Sequence, residues 1–186
     1  IESTQSDKCY NTSVAINREG EILGVYRKLH LFDVELDDQT KIQESKRFLP
    51  GQQPCIVQID GWNIGLSICY DLRFPELYRW YATQGVDMIV LPSSFTTPTG
   101  KAHWEVLCRA RAIENQCFLV APNQAGVGAG GVPTYGHSCI VDPWGCIVEM
   151  ADDSANQLIF SECDIEECLL VRRKIPALQH RRSDIL

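Results

Sequence analysis

Residues Asn63 to Pro75 read Asn-Ile-Gly-Leu-Ser-Ile-Cys-Tyr-Asp-Leu-Arg-Phe-Pro, and the predicted site depends on this stretch. The apolar run from Ile64 to Ile68 predicts a buried strand, and Pro75 suits the first turn of a following helix. Cys69 lies between them on a tight turn, where its sulfur is exposed and backbone N–H groups can face the same point. That arrangement suits a nucleophile and its oxyanion hole, although free cysteines are also common as buried core residues.

The composition is typical of a globular chain. The 186 residues suffice for one domain with a substantial core, and the 45% hydrophobic and 22% charged fractions are ordinary. The net charge of −7 argues against general nucleic-acid binding, and the apolar runs are too short to span a membrane. A late basic cluster is interpreted as solvated surface or a subunit contact: Arg172, Arg173, Lys174, Arg181 and Arg182.

The nine cysteines are scattered and form no Cys-x-x-Cys pair. Several lie within apolar runs, where they would serve as small core residues. The pattern predicts a reduced cytoplasmic chain, rather than a disulfide framework or a zinc site. A mitochondrial location stays open as well.

Alternating and apolar runs predict the order of elements. The predicted strands are Tyr10–Ile16, Ile22–Arg27, Cys55–Ile59, Trp62–Ile68, Val86–Leu91, Cys117–Ala121, Gly136–Val141, Cys146–Met150 and Leu158–Ser161. The predicted helices are Pro75–Gln84, Ala102–Asn115 and Ile165–Arg173, with a long loop over 33–54 and a polar loop over Ser93–Lys101. This order predicts an α/β fold with a mixed sheet, two helices on one face, and a second stacked sheet.

A glycine-rich stretch, Gly126-x-Gly128-x-x-Gly131, matches a dinucleotide-binding fingerprint by letter. That fingerprint requires a strand before it and a helix after it. Pro133 and a predicted strand follow instead, so we reject the nucleotide interpretation.

Lys28 is the natural cationic partner for a Cys69 thiolate, because each lies where a predicted strand ends. If the two strands share a sheet with aligned ends, the ammonium reaches the sulfur. Glu44, in the long loop, could hold Lys28 in position. A Cys–His pair is the competing arrangement, and its candidate bases are His30, His103, His137 and His180.

Four motifs resemble those of the nitrilase (carbon–nitrogen hydrolase) superfamily. They are Tyr26-Arg27-Lys28-Leu29-His30-Leu31, the stretch Gly65–Leu77, the blocks His103-Trp104-Glu105 and Arg109–Glu114, and Gly136-His137-Ser138 with Asp142-Pro143-Trp144-Gly145. The resemblance implies a four-layer αββα sandwich, a homodimer or larger homo-oligomer, and no metal or organic cofactor. It also implies a Cys69 nucleophile, Lys28 as proton donor and oxyanion stabiliser, the N–H of Tyr70 in the oxyanion hole, and Glu44 orienting the site.

The superfamily places its general-base glutamate in a motif well upstream of the lysine. The acidic residues before Lys28 are Glu2, Asp7, Glu19 and Glu21, and none has that motif context. We therefore expect residues 1–186 to be the C-terminal portion of a single domain that is incomplete at its N-terminus. We also expect this portion alone to be inactive and poorly stable, because missing elements would leave apolar faces exposed.

The flanks of Lys28 and Glu44, including Phe32-Asp33-Val34-Glu35, resemble the omega-amidase branch. Such enzymes hydrolyse 2-oxo dicarboxylate monoamides such as 2-oxoglutaramate and 2-oxosuccinamate. Arg73 is then a candidate clamp for the substrate carboxylate, the alternative being a structural salt bridge with Glu76 or a loop carboxylate. Ser94, Phe95 and Thr96 should line the same pocket. Deaminated-glutathione amidase, N-carbamoyl-amine hydrolase, a non-catalytic binding subunit and a redox-sensing cysteine are the alternatives.

Overall fold

The computed structural model describes residues 2–3, 7–35, 41–128, 131–182 and 184–185. The strands in this part are β1 (Glu2–Ser3), β2 (Cys9–Tyr10), β3 (Thr12–Ile16), β4 (Ile22–Arg27), β5 (Asp33–Glu35), β6 (Lys41–Gln43), β7 (Phe48–Leu49), β8 (Cys55–Ile59), β9 (Trp62–Leu66), β10 (Met88–Val90), β11 (Phe118–Ala121), β12 (Ala125–Val127), β13 (Pro133–Tyr135), β14 (Cys139–Val141) and β15 (Ile147–Met150). The helices are α1 (Pro75–Thr83), α2 (Thr97–Asn115) and α3 (Ile165–Lys174), with 3₁₀ helices at Glu44–Lys46 and Cys69–Arg73. None of the helices described is both long and apolar enough to cross a membrane.

A six-stranded mixed sheet carries the fold, in the order β15-β14-β11-β10-β9-β8. Its central strands β9, β10 and β11 are parallel, and β8, β14 and β15 add antiparallel edges. Parallel neighbours end on the same side of a sheet, so the residues that follow β9 and β10 converge at one edge. The predicted α/β fold with a mixed sheet is confirmed.

Helices α1 and α2 cover one face of this sheet. Ile89 and Leu119 are fully buried there together with Trp104 and Tyr81. A Cβ at Gly65 would lie 3.0 Å from the Tyr81 ring, so glycine permits this close helix–strand approach. The predicted first helix is confirmed as α1, beginning at its proline and ending just before a glycine in the left-handed conformation.

The hairpin β3–β4 packs on the opposite face of the sheet. Tyr26, Leu66 and Ile68 form a second buried cluster between the two, and Gly24 faces Val57 so closely that a Cβ would lie 2.4 Å from its Cγ1. Helices, sheet and hairpin thus form three successive layers in the part of the chain that the structure describes. The second sheet layer is the one predicted from the excess of strands over helices.

Several predicted segments differ from the structure. The long loop over 33–54 contains the β5–β6 hairpin, a 3₁₀ helix and β7, while its residues 36–40 lie outside those described. The polar loop Ser93–Lys101 ends early, because α2 begins at Thr97 with Pro98 in its first turn, where the missing N–H is tolerated. Residues 158–161 form no strand, since no described strand pairs with them, and Leu158 and Phe160 are exposed.

Candidate active site

The chain turns sharply at Cys69, between β9 and the 3₁₀ helix. Its φ of +49° is in the left-handed region, which costs a non-glycine residue on the order of 1 kcal/mol or more and is common at functional sites. The Cys69 N–H donates to the Pro92 carbonyl at 3.0 Å, and its Sγ lies 3.7 Å from the Ser94 carbonyl oxygen. Both contacts come from the segment after β10, the neighbouring parallel strand.

Lys28 forms a buried ion pair with Glu44. Its side chain is 3% exposed, and Nζ lies 2.5 Å from Glu44 Oε2. The same oxygen accepts the Phe32 N–H at 2.7 Å, while Oε1 accepts from Asn11 Nδ2 at 3.3 Å. Every one of these partners donates to Glu44, so both of its carboxyl oxygens are engaged and the side chain fixes the lysine in place.

The sequence suggested that Lys28 and Cys69 approach each other at the aligned ends of strands in one sheet. The structure shows that their strands lie in different sheets. Strand β4, which precedes Lys28, pairs with β3, whereas β9, which precedes Cys69, pairs with β8 and β10. The two residues meet across the interface between the hairpin and the six-stranded sheet. The cluster of Tyr26, Leu66 and Ile68 holds that interface together.

The Cys69 thiol lies in a mixed electrostatic environment. Burial raises its pKa above the ordinary value, and the negative charges of Glu44 and Asp71 act in the same direction. The positive charge of Lys28 opposes them by favouring the thiolate. Lysine therefore supplies the local stabilisation that an attacking thiolate needs.

An open cleft of about 1100 Å³ lies in front of Cys69. Its lining includes Lys28, Glu44, Ser94 and Thr96. A small recess beside the sulfur is lined by Cys69 together with Tyr70, Arg73, Ser94, Phe95 and Thr96. All eight residues singled out from the sequence thus line one of these two adjoining spaces.

Arg73 faces the recess but makes no ion pair with Glu76 among the described residues. Both terminal guanidinium nitrogens lie 3.3 Å from His103 Nδ1, and the guanidinium carbon lies 5.4 Å from the centre of the Phe95 ring. A guanidinium only donates hydrogen bonds, so Nδ1 of His103 is the acceptor in this contact. The structural salt bridge with Glu76 considered from the sequence is therefore not among the described contacts, and the loop carboxylates Asp37 and Asp38 lie outside the described residues.

Histidine is not the partner of Cys69 among the described contacts. His30 Nδ1 lies 2.7 Å from Asp71 Oδ1, His103 accepts from the arginine just described, and His137 Nδ1 bonds to the Tyr135 carbonyl at 2.8 Å. His180 is exposed near the C-terminal end. The lysine, rather than a histidine, shares the cleft with the sulfur.

None of the described upstream carboxylates is among the hydrogen-bond partners of Lys28. Glu19 and Glu21 lie in the β3–β4 turn, at the far end of a strand that spans roughly 20 Å. Asp7 is exposed, and the side chain of Glu2 lies outside the described residues. Among the described residues, Glu44 is the carboxylate bonded to the lysine.

Two residues that position the site, Asn123 and Asp71, were not predicted from the sequence. Asn123 receives the Phe95 N–H on Oδ1 at 3.0 Å and donates from Nδ2 to the Gly136 carbonyl at 2.6 Å, which fixes the segment after β10. Asp71 accepts hydrogen bonds from both strand ends of the site. The signal for Asp71 was its place two residues after the cysteine, but its burial could not be deduced from the sequence.

Comparison with known proteins identifies the class that this fold and cleft define. The carbon-nitrogen hydrolase family model matches residues 1–173, so the chain belongs to that family, as the nitrilase-superfamily motifs predicted. The crystal structure of the C. elegans NitFhit protein superposes with a TM-score of 0.90 at 41% identity, covering 97% of this chain and 44% of that chain.

Two curated relatives are amidases. The deaminated glutathione amidase of Synechocystis sp. (strain PCC 6803 / GT-S) is 44% identical over 179 residues, covering 95% of this chain and 65% of that protein. Omega-amidase NIT2 of Homo sapiens is 35% identical over 185 residues, covering 100% of this chain and 67% of that protein. The chain therefore spans about two thirds of the length of these relatives.

Proposed function

We propose that the full-length protein hydrolyses a non-peptide amide through a thioester on Cys69. The observation that carries this proposal is the shared cleft of Cys69 and Lys28, with the lysine fixed by Glu44. A sulfur on a strained turn beside a buried cation matches the requirements of an activated nucleophile. Membership in the carbon-nitrogen hydrolase family supports the same chemistry.

The reaction has two halves. The thiolate attacks the amide carbon, and the oxyanion is stabilised by Lys28 Nζ and the N–H of Tyr70. The C–N bond then breaks, the amine leaves with a proton, and an acyl thioester remains on Cys69. Water attacks this thioester and releases the carboxylic acid and the free thiol. A glutamate serves as base in both halves by resemblance to the superfamily, which is why we assign the activity to the full-length protein.

We propose a 2-oxo dicarboxylate as the acyl group. Omega-amides of this class carry a carboxylate, and Arg73 faces the recess beside Cys69 with its guanidinium supported by Phe95 and His103. Deaminated glutathione and 2-oxoglutaramate share the 2-oxoglutaryl group and differ in the amine that leaves. The cleft of about 1100 Å³ accommodates a dipeptide leaving group, and the higher identity to the deaminated glutathione amidase favours that substrate over the simple amide.

Parallel assays of the full-length protein separate these candidates. Release of ammonia from 2-oxoglutaramate and of cysteinylglycine from deaminated glutathione are compared as kcat/KM. A preference for the second substrate supports the larger leaving group, and the reverse preference supports an omega-amidase. Turnover of neither substrate, or only of carbamoyl-amines, would contradict the proposed acyl group.

Arg73→Gln is expected to weaken binding of the carboxylate substrate. Loss of a charge-assisted hydrogen bond costs about 1.5–3 kcal/mol, so KM should rise on the order of 10- to 100-fold. A neutral amide of the same length should show little change. Arg79→Gln is the matched control, because Arg79 binds the Glu114 carbonyl on the helical layer instead. Equal losses on charged and neutral substrates would remove Arg73 from substrate recognition.

We also propose a cytoplasmic homo-oligomer. All nine cysteines are free, which suits a reducing compartment. Exposed apolar side chains on and near the helical layer provide a surface for a second copy: Trp80, Val106, Ile113 and Trp144. Size-exclusion chromatography with light scattering of the full-length protein measures the oligomeric state.

A further inference from the structure

Asp71 is a fully buried carboxylate that accepts four hydrogen bonds. Its Oδ2 receives the Tyr26 hydroxyl at 2.7 Å and the Ile68 N–H at 2.8 Å. Its Oδ1 receives the His30 N–H at 3.1 Å and faces His30 Nδ1 at 2.7 Å. Such a carboxylate is fixed on every side, and each contact is short enough to be a good hydrogen bond.

The positions of these donors in the chain are informative. Tyr26 and His30 lie two residues before and two residues after Lys28, and Ile68 immediately precedes Cys69. One side chain therefore joins the end of the hairpin layer to the end of the central strand. No continuous sheet does so, because β4 and β9 belong to different sheets.

We propose that Asp71 is the positioning residue that sets Lys28 relative to Cys69 across the two layers. The inference rests on the proposed function in that the pair it aligns is the proposed nucleophile and oxyanion stabiliser. Asp71 does not line the cleft, so its effect is exerted through the backbone on either side of these two residues. It also bonds the residue before the strained Cys69 turn and thereby holds that turn.

Asparagine at position 71 tests the charge and acceptor pattern with almost no change in volume. Its side chain has one accepting oxygen and one donating nitrogen. If the asparagine oxygen accepts from the Ile68 N–H, the amide NH₂ group lies against the His30 N–H. If the amide is flipped, the NH₂ group lies against the Ile68 N–H instead. One backbone donor is left unsatisfied in either orientation, so one of the two strand ends is released.

A second buried carboxylate provides the matched control. Asp87 precedes β10 at the opposite end of the sheet, where it accepts from Arg172 Nη1 at 2.9 Å and from the Asn63 N–H at 3.4 Å. Asp87→Asn should lower the melting temperature without touching the cleft. A purely structural role for Asp71 would give both variants the same kinetic behaviour at temperatures where each is folded.

The experiment measures kcat, KM and the capture of Cys69 by chloroacetamide in full-length wild type, Asp71→Asn, Asp71→Glu and Asp87→Asn. For Asp71→Asn we expect kcat to fall on the order of 100-fold, as for a misplacement of about 1 Å, with KM nearly unchanged. Removing the negative charge of Asp71 by itself favours the Cys69 thiolate, but Lys28 has the larger charge effect on that thiol. Displacement of the lysine should therefore still slow capture of the Cys69 peptide, followed by mass spectrometry. Asp87→Asn should retain the wild-type kcat and capture rate, and Asp71→Glu should recover part of the loss by keeping the acceptors.

The outcomes distinguish the positioning role of Asp71 from the proposed amidase activity. Unchanged kcat and capture in folded Asp71→Asn, or equal losses in Asp87→Asn, would overturn the positioning role while leaving the proposed amidase intact. Absence of turnover in the wild type would overturn the proposed function. Even then, slower Cys69 capture in Asp71→Asn alone would support the positioning role, and equal capture in all variants would overturn it.

Discussion

Cys69→Ala is expected to abolish amide hydrolysis by the full-length protein. Loss of a covalent nucleophile lowers kcat on the order of 10⁵-fold or more, because no other described group in the cleft can form the thioester. The sulfur lies on a turn that brings it to both the cleft and the recess. The measurement is amine release under saturating substrate, with the folded state checked by circular dichroism.

Two further variants make this result specific. Cys146→Ala removes an exposed cysteine and should leave turnover unchanged. Cys69→Gly should lose activity as completely as the alanine variant but melt at a higher temperature, since glycine relieves the strain of φ +49°. Rapid quenching of wild type should trap an acyl group on the Cys69 peptide. Turnover in either Cys69 variant, or an acyl group elsewhere, would contradict the mechanism.

The sequence predicted the Cys69 end of the site because that part of the fold is locally encoded. Apolar runs mark β9 and β10 as buried, and Pro75 and Gly85 mark the ends of α1. Parallel neighbours must end at the same edge, so Cys69 and Ser94 could be placed together from the chain order alone. The contact between the Cys69 sulfur and the Ser94 carbonyl agrees with that reasoning.

The approach of Lys28 to that edge depends on the packing of layers and could not be read from local patterns. The hairpin β3–β4 is held against the sheet by Tyr26 and by the close contact of Gly24 with Val57. Tyr26 is a common strand residue, and a glycine such as Gly24 indicates a close approach without showing which residue approaches. The burial of Asp71 could not be read from local patterns either, because it depends on all its partners donating, a property of the assembled layers and not of the motif.

Short paired segments were missed for a related reason. The β5–β6 hairpin has three residues in each strand, and its charged sequence gives little apolar periodicity. It forms nonetheless beside Glu44, whose N–H donates to the Phe32 carbonyl at 3.3 Å. A segment interpreted as a loop from composition thus positions the glutamate that holds Lys28.

Lys28→Met is expected to reduce kcat on the order of 1000-fold or more. In the proposed mechanism the variant removes an oxyanion donor, which alone is worth about 10²–10³, together with the proton donor to the leaving amine. The methionine side chain has a similar length and tolerates burial, so the protein should stay folded. Glu44→Gln should reduce kcat less, because the amide oxygen can still accept one donor while the lysine loses its ion pair.

The same pair of variants tests the electrostatic argument through pH. Burial raises the pKa of the Cys69 thiol and Lys28 lowers it, so removal of the lysine must move the pKa further upward. At any pH below that pKa, Lys28→Met then holds less thiolate, and the midpoint of chloroacetamide capture shifts to higher pH. Glu44 raises the pKa of the Cys69 thiol, so loss of its charge alone would lower that pKa. In Glu44→Gln the direction of the pKa shift therefore depends on whether Lys28 stays in place.

Lys101→Met is the control for these measurements, since it removes an equal charge from the exposed surface of α2. It should change neither kcat nor the capture midpoint. An unchanged midpoint in Lys28→Met, with kcat still lost, would separate the two roles given to the lysine. The side chain would then act on the oxyanion and the leaving amine, and the thiolate would form without help from the lysine.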